Sequence, residues 1–164
     1  MEPTISTVPA CLRALVAAAE RAVPPRIVRG REVPVTVVLG QPNVGQMDSD
    51  EMVLIAFTGE PGDPGVTSNR TQPQGVTAPD RESYDVICLA TSWHGHDDQP
   101  LPVLDRTYEM VNALAAELAA DGTLGGVVGR TRISTDQLVQ VQTEQGAVAL
   151  LRFTVHVEAF TRAY

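Results

Sequence analysis

Ala147-Val148-Ala149-Leu150-Leu151-Arg152-Phe153-Thr154-Val155-His156-Val157-Glu158-Ala159-Phe160 decides how this chain is read. From Leu151 onward, Leu151, Phe153, Val155, Val157 and Ala159 alternate with Arg152, Thr154, His156 and Glu158. That two-residue period is a strand with one face in a core and the other in water. Just before it, Gln137 to Thr143 and the turn Glu144-Gln145-Gly146 supply an antiparallel hairpin partner. A sheet with one wet face must be covered on the other, so helices are expected elsewhere in the chain.

Working upstream, Tyr84, Val86, Cys88 and Ala90 alternate with Asp85, Ile87, Leu89 and Thr91, which predicts a strand covered on both faces. A loop from His94 to Pro102 then leads into a helix. Its Leu104, Tyr108, Val111, Leu114 or Ala115, and Leu118 step by three and four into one apolar stripe. Asp121-Gly122 ends that helix, and Gly125-Gly126 feed a strand around Val127 to Ile133. At the other end of the chain, Thr7 is placed as an N-cap and Pro9 suits a first turn. Leu12, Leu15, Val16 and Ala19 recur at helical spacing until Pro24-Pro25 stops them. Val33 to Leu39 reads as a strand with Pro34 at its start or edge, and Met52 to Phe57 as another. The expected fold is α+β: a mostly antiparallel sheet of about five or six strands with two helices packed on one face.

Residues 59–80 differ in kind. Eight of the 25 Gly and Pro residues fall between Gly59 and Pro79, among Thr, Asn, Gln and Ser. This composition predicts a long mobile loop inserted in a single domain spanning residues 1–164.

Composition then removes whole classes of function. A chain of 164 residues with 43% apolar and 20% charged residues is ordinary for one globular domain. Twelve basic residues, every one of them Arg, face twenty acidic ones, for a net charge of −8. With seven aromatic residues in all, basic grooves and stacking platforms are missing, which argues against dedicated nucleic-acid binding. No apolar run approaches the roughly 20 residues of a membrane span. Met1-Glu2-Pro3-Thr4 lacks the basic start of a signal peptide, so a soluble, intracellularly made protein is expected. Cys11 and Cys88 could pair by arithmetic, but a cytosolic origin favours two buried thiols.

The best reactive cluster is His94-Gly95-His96-Asp97-Asp98. On an extended strand His94 and His96 point the same way, and imidazole with the Asp97 carboxylate suits a divalent metal, with His156 or Glu158 completing the set. The simpler reading is a solvated strand-to-helix loop in which Asp97 or Asp98 caps the helix. Asp48, Asp50, Glu51, Glu60 and Asp63 offer paired carboxylates, more simply read as solubilising loop charges. Arg21, Arg26, Arg29 and Arg31 have Glu20 and Glu32 as neighbours and read as a neutralised surface. The glycines Gly122, Gly125, Gly126 and Gly129 lack the Lys and following helix of a phosphate loop, and no G-x-S-x-G occurs. No catalytic residue and no cofactor is expected.

The order of these elements resembles the tail terminator (tail completion) proteins of long-tailed, non-contractile bacteriophages. The likeness is carried by the helix Pro9–Ala22, the strand ending Val38-Leu39-Gly40-Gln41-Pro42, and Tyr84–Thr91 leading through Trp93-His94-Gly95-His96-Asp97 to the helix with Arg106. Asp121-Gly122-Thr123-Leu124-Gly125-Gly126 and Thr143-Glu144-Gln145-Gly146-Ala147 complete it. It lies in order, spacing and total length, and excludes residues 43–80. The resemblance implies a virion structural protein, not an enzyme. Its homohexameric ring would sit at the head-proximal end of the tail, assembled in the host cytoplasm. Such a ring caps the tail tube protein, ends tube polymerisation and joins the neck or head–tail connector protein, while DNA passes through the lumen without specific binding. A six-fold ring needs two different patches per subunit. Exposed sheet edges and the long loop are the expected suppliers, with Glu60, Asp63, Asn69, Arg70, Gln72 and Gln74 as interface candidates. Another head–tail connector or neck protein, and from a different class a small metal-dependent enzyme using His94, His96 and Asp97, are the alternatives.

Overall fold

The strand with the wet face stands near the middle of the sheet. In the computed structural model, which describes residues 5–71, 79–95 and 99–161, this strand is β8 (Gly146–Thr161). On one side it pairs antiparallel with β6 (Asp80–Gly95) along its whole length, from Asp80↔Thr161 to Gly95↔Gly146. On the other it pairs with β7 (Arg130–Thr143) through the Thr143–Gly146 turn. The far edge of β6 is shared by two strands end to end, β4 (Glu51–Ile55) and β5 (Val66–Thr71). β3 (Thr36–Leu39) lies parallel outside β4. The resulting six-stranded sheet runs β3-β4-β6-β8-β7 with β5 beside β6, and a separate two-stranded hairpin joins β1 (Arg26–Val28) to β2 (Arg31–Val33). Two helices, α1 (Val8–Ala22) and α2 (Pro100–Ala120), cover one face. The α+β class and the mostly antiparallel sheet match the expectation.

The core forms where the inward strand residues meet both helices. Phe153, Val155 and Val157 of β8, Val86 and Cys88 of β6, and Val53 and Ile55 of β4 pack with Leu15 of α1 and with Met110 and Leu114 of α2. Cys11 and Cys88 are buried in it and form no disulfide, as expected. Burial pushes the Cys11 thiol from its ordinary 9.0 up to about 11, and the Cys88 thiol to about 12. The unfolded chain ionises these thiols near pH 9 while the fold keeps them neutral, so their contribution is complete below pH 9 and drains away as pH rises through 11. At about 1.4 kcal/mol per unit of pKa difference, the loss is several kcal/mol in total. Urea melts from pH 8 to 11 should show stability falling steeply above pH 9, and Cys11→Ser/Cys88→Ala should flatten that fall.

Several expectations are corrected. The strand expected over Val33–Leu39 is broken at Pro34, so Val33 closes the β1–β2 hairpin while Thr36 opens β3 in the main sheet. Proline has no N–H for a ladder, and here the chain changes sheets. The loop expected over 59–80 contains β5, whose Thr67, Asn69 and Thr71 pair with Asp85, Ser83 and Arg81. An edge strand of polar residues has no alternating apolar signature to find. Residues 72–78 lie outside the described residues. β4 and β5 in fact form one edge line, interrupted by residues 56–65. Ile87 closes the gap, its carbonyl accepting from Phe57 N and its N–H donating to Gly65 O, both at 2.9 Å. A Cβ on Gly65 would sit 2.0 Å from Ala56 O, so only glycine permits the chain to pinch there.

The two strands expected at 127–133 and 137–143 are one strand, β7, with a bulge at Asp136 between Thr135 and Gln137. The extra residue shifts the alternation by one, so the two halves read as separate pieces. β6 runs on through His94 and Gly95, and α2 starts at Pro100, two residues earlier than the expected Pro102. Along α2 the buried line is Val103, Arg106, Thr107, Met110, Val111, Leu114 and Leu118, while Leu104 and Tyr108 are only half-buried. Thr7 does stand at the N-cap, but its hydroxyl caps nothing. Instead Glu82 of β6 accepts from Thr7 N and Thr7 Oγ1, each at 2.9 Å, so a strand carboxylate holds the positive end of α1.

Candidate functional site

Three arrangements of side chains have enough chemistry to be functional. The first is buried. Glu51 opens β4 pointing toward the helices, and its side chain has no solvent exposure. Arg106 of α2 brings Nε to 2.7 Å from Glu51 Oε2 and Nη2 to 2.5 Å from Pro24 O, while Nη1 stands 3.0 Å from Glu109 Oε2. Arg26 of β1 places Nε 3.3 Å from Glu51 Oε1 and Nη2 3.7 Å from Asp50 Oδ2. Ser92 donates to the same Oε1 at 3.4 Å, and His94 Nε2 lies 3.7 Å from it. One carboxylate thus ties the end of α1, the β1–β2 hairpin, two strands and α2 together. Glu51, expected among solubilising loop charges, is instead a buried strand residue.

This cluster bears on the metal reading. His94 faces a carboxylate already engaged by two guanidiniums, and those positive charges oppose a divalent cation. His156 and Glu158, named as completing ligands, lie on the opposite face of the sheet. His96 and Asp97 lie outside the described residues. Among the described residues, no group of three or more His, Cys, Asp or Glu side chains is arranged to hold a metal ion.

The second arrangement crosses three strands on the open face. His156 of β8 has Nδ1 2.5 Å from Asp85 Oδ1 of β6 and Nε2 3.1 Å from Ser134 Oγ of β7. Arg130, Arg132 and Glu158 border, with His156, a recess of about 240 Å³. Acid, imidazole and hydroxyl in this order can in principle activate a serine. Here they lie on a flat, half-exposed sheet, His156 at 47% and Asp85 at 51% side-chain exposure. The β8 backbone beside His156 is committed to ladders on both sides. The sequence reading missed this trio because its members are far apart in the chain. Strand register alone brings them together.

The third arrangement is apolar. Beyond Arg152 the open face turns from charged to hydrophobic. Met47, Met52, Trp93, Val148 and Leu150 border a groove of about 560 Å³ with Asp48 and Asp50 along it. Val139 and Val141 of β7 continue the patch at 43% and 45% exposure. Trp93 Nε1 donates to Gln145 O at 3.2 Å, fixing the β7–β8 turn against the groove. Contiguous exposed apolar side chains of this kind mark contact surfaces.

The interface candidates fall in two places. Glu60 borders a second recess of about 230 Å³ with Leu89, Val139 and Leu150. Nearby, Asp63 Oδ2 accepts from Thr58 Oγ1 at 3.4 Å. Asn69 and Arg70 belong to β5, where Asn69 borders the recess of Asp85 and His156. Gln72 and Gln74 lie outside the described residues. Among the described residues no helix is long and apolar enough to cross a membrane. The chain matches no family model and no curated protein.

Proposed function

We propose that this chain is the subunit of a tail-terminator ring, a virion structural protein that caps the phage tail tube and joins it to the head or neck. The observation that carries the reading is the open sheet face, charged over one half and apolar over the other, with a broad groove of about 560 Å³ in the apolar half. Such a face suits neighbouring protein surfaces better than the enclosure of a small substrate. The succession of helix, strands, second helix and terminal hairpin supports it too, because the resemblance rests on that succession. So do the outer edges of β3 and β7, which pair with nothing among the described residues and can extend a sheet into a neighbour. In this reading six copies close at the head-proximal end of the tail, after assembly in the host cytoplasm. The net charge of −8 keeps passing DNA from adhering. A neck or head–tail connector protein would use the same surfaces and is the nearest variant. Mass measurement on isolated tails is expected to find six copies at one end. Copies distributed along the tube would identify a tube protein instead.

Asp85, His156 and Ser134 favour an enzyme more than any other group on the surface. On a half-exposed sheet surface that does not shut out water, the serine is not expected to react. A fluorophosphonate probe should leave Ser134 unlabelled under conditions that label a serine hydrolase. Rapid labelling abolished by His156→Ala would replace the structural reading with a hydrolytic one. Stoichiometric divalent metal in the purified protein would favour the enzyme built on His94, His96 and Asp97.

A further inference from the structure

The β1–β2 hairpin stands away from the body. Every residue from Ile27 to Glu32 is exposed, Ile27 at 61% and Val28 at 39%, and the hairpin joins no larger sheet. A lone two-stranded ribbon is marginal in water, and apolar side chains on it gain nothing until covered. Its turn has φ +50 at Arg29 and +77 at Gly30, the left-handed pair of a type I′ turn. Asn or Gly is the usual first residue of that turn. Arginine there accepts some strain and places a cation at the tip, with Arg31 two residues on.

The chain also carries a surface of complementary character. The groove of Met47, Met52, Trp93, Val148 and Leu150 is apolar, and Asp48 and Asp50 lie along it. The hairpin offers apolar Ile27 and Val28 beside basic Arg29 and Arg31. In its own copy Arg26 anchors the hairpin base to Glu51 on the helix side of the sheet and, at 3.7 Å, to Asp50 at the rim of the groove, while Ile27 to Glu32 stay exposed and off the groove floor.

We propose that the β1–β2 hairpin of one copy seats in the open-face groove of a second copy. Ile27 and Val28 cover the apolar floor, and Arg29 and Arg31 meet Asp48, with Asp50 already shared with the receiving copy's own Arg26. Donor and acceptor patches differ, so each copy gives one hairpin and receives one. That is the heterologous contact from which rings close. The inference rests on the ring reading and identifies the surface that would build it.

Cysteine pairs test it, since Cys11 and Cys88 are fully buried and stay out of the reaction. Ile27→Cys copies mixed with Val148→Cys copies at high concentration under mild oxidation should give a cross-linked dimer that neither variant gives alone. The double variant should give a ladder of higher species. Arg29→Asn/Arg31→Gln keeps a residue suited to the turn, removes both charges, and should weaken self-association by about tenfold. A disulfide confined to one chain of the double variant overturns the contact between copies. Rings that form without the cross-link, and with full affinity in Arg29→Asn/Arg31→Gln, overturn the hairpin contact and leave the ring reading standing. A protein that stays monomeric at every concentration and on tail tubes overturns both.

Discussion

Glu51→Ala is expected to cost about 3–5 kcal/mol, a large fraction of the roughly 5–15 kcal/mol that holds a domain together. The carboxylate is buried between Arg106 and Arg26. Removing it leaves two guanidiniums facing each other with only Glu109 and Asp50 at their outer ends as counter-charges, so the cost is that of poorly compensated buried cations rather than of one lost hydrogen bond. The pair itself contributes little net stability, because bringing these charges out of water offsets most of their attraction. Exchanging Glu51 and Arg106 together for Leu and Met should therefore lose less than the sum of the single changes. Urea melts of the two singles and the double measure that coupling. A loss below about 1 kcal/mol for Glu51→Ala would mean that water reaches the site and screens it.

Phe153→Ala should cost a similar 3–5 kcal/mol for a different reason. Phe153 is fully buried among both helices and the sheet, and its removal leaves a cavity that fixed strands on either side cannot close. His156, three residues along the same strand, faces outward at 47% side-chain exposure. His156→Ala breaks only half-exposed contacts to Asp85 and Ser134 and should cost less than about 1 kcal/mol. Reversal of the two losses would mean that the alternation along β8 is inverted, since a one-residue slip exchanges the faces of a strand.

These two positions mark how much of the molecule was legible in its sequence. Phe153 was assigned correctly because period-two alternation over ten residues admits one solution. The hairpin, both helices and the sheet's class followed from the same local periodicities. β5 escaped because Thr67, Ser68 and Asn69 pair at an edge with their side chains exposed, so no pattern records the strand. Glu51 escaped because nothing local distinguishes a loop carboxylate from a buried one. Its partners, Arg26, Ser92 and Arg106, come from three other elements and meet it only in the fold. The α2 stripe shifted for a related reason, with Arg106 lying on the buried face to reach Glu51 in place of an apolar residue. The metal candidates at His94 were visible as a cluster, but the guanidiniums that oppose a cation there were not. The division of the open face into charged and apolar halves needed the register of four strands together.

Copies of this chain are proposed to close into a ring at the end of a tail tube. Purified protein added to unterminated tail tubes and viewed by negative-stain electron microscopy tests it most directly. The expected result is a six-fold ring on one end of each tube, with elongation halted at capped ends. Tubes that keep growing from bare ends, with the protein monomeric in the background, would contradict it.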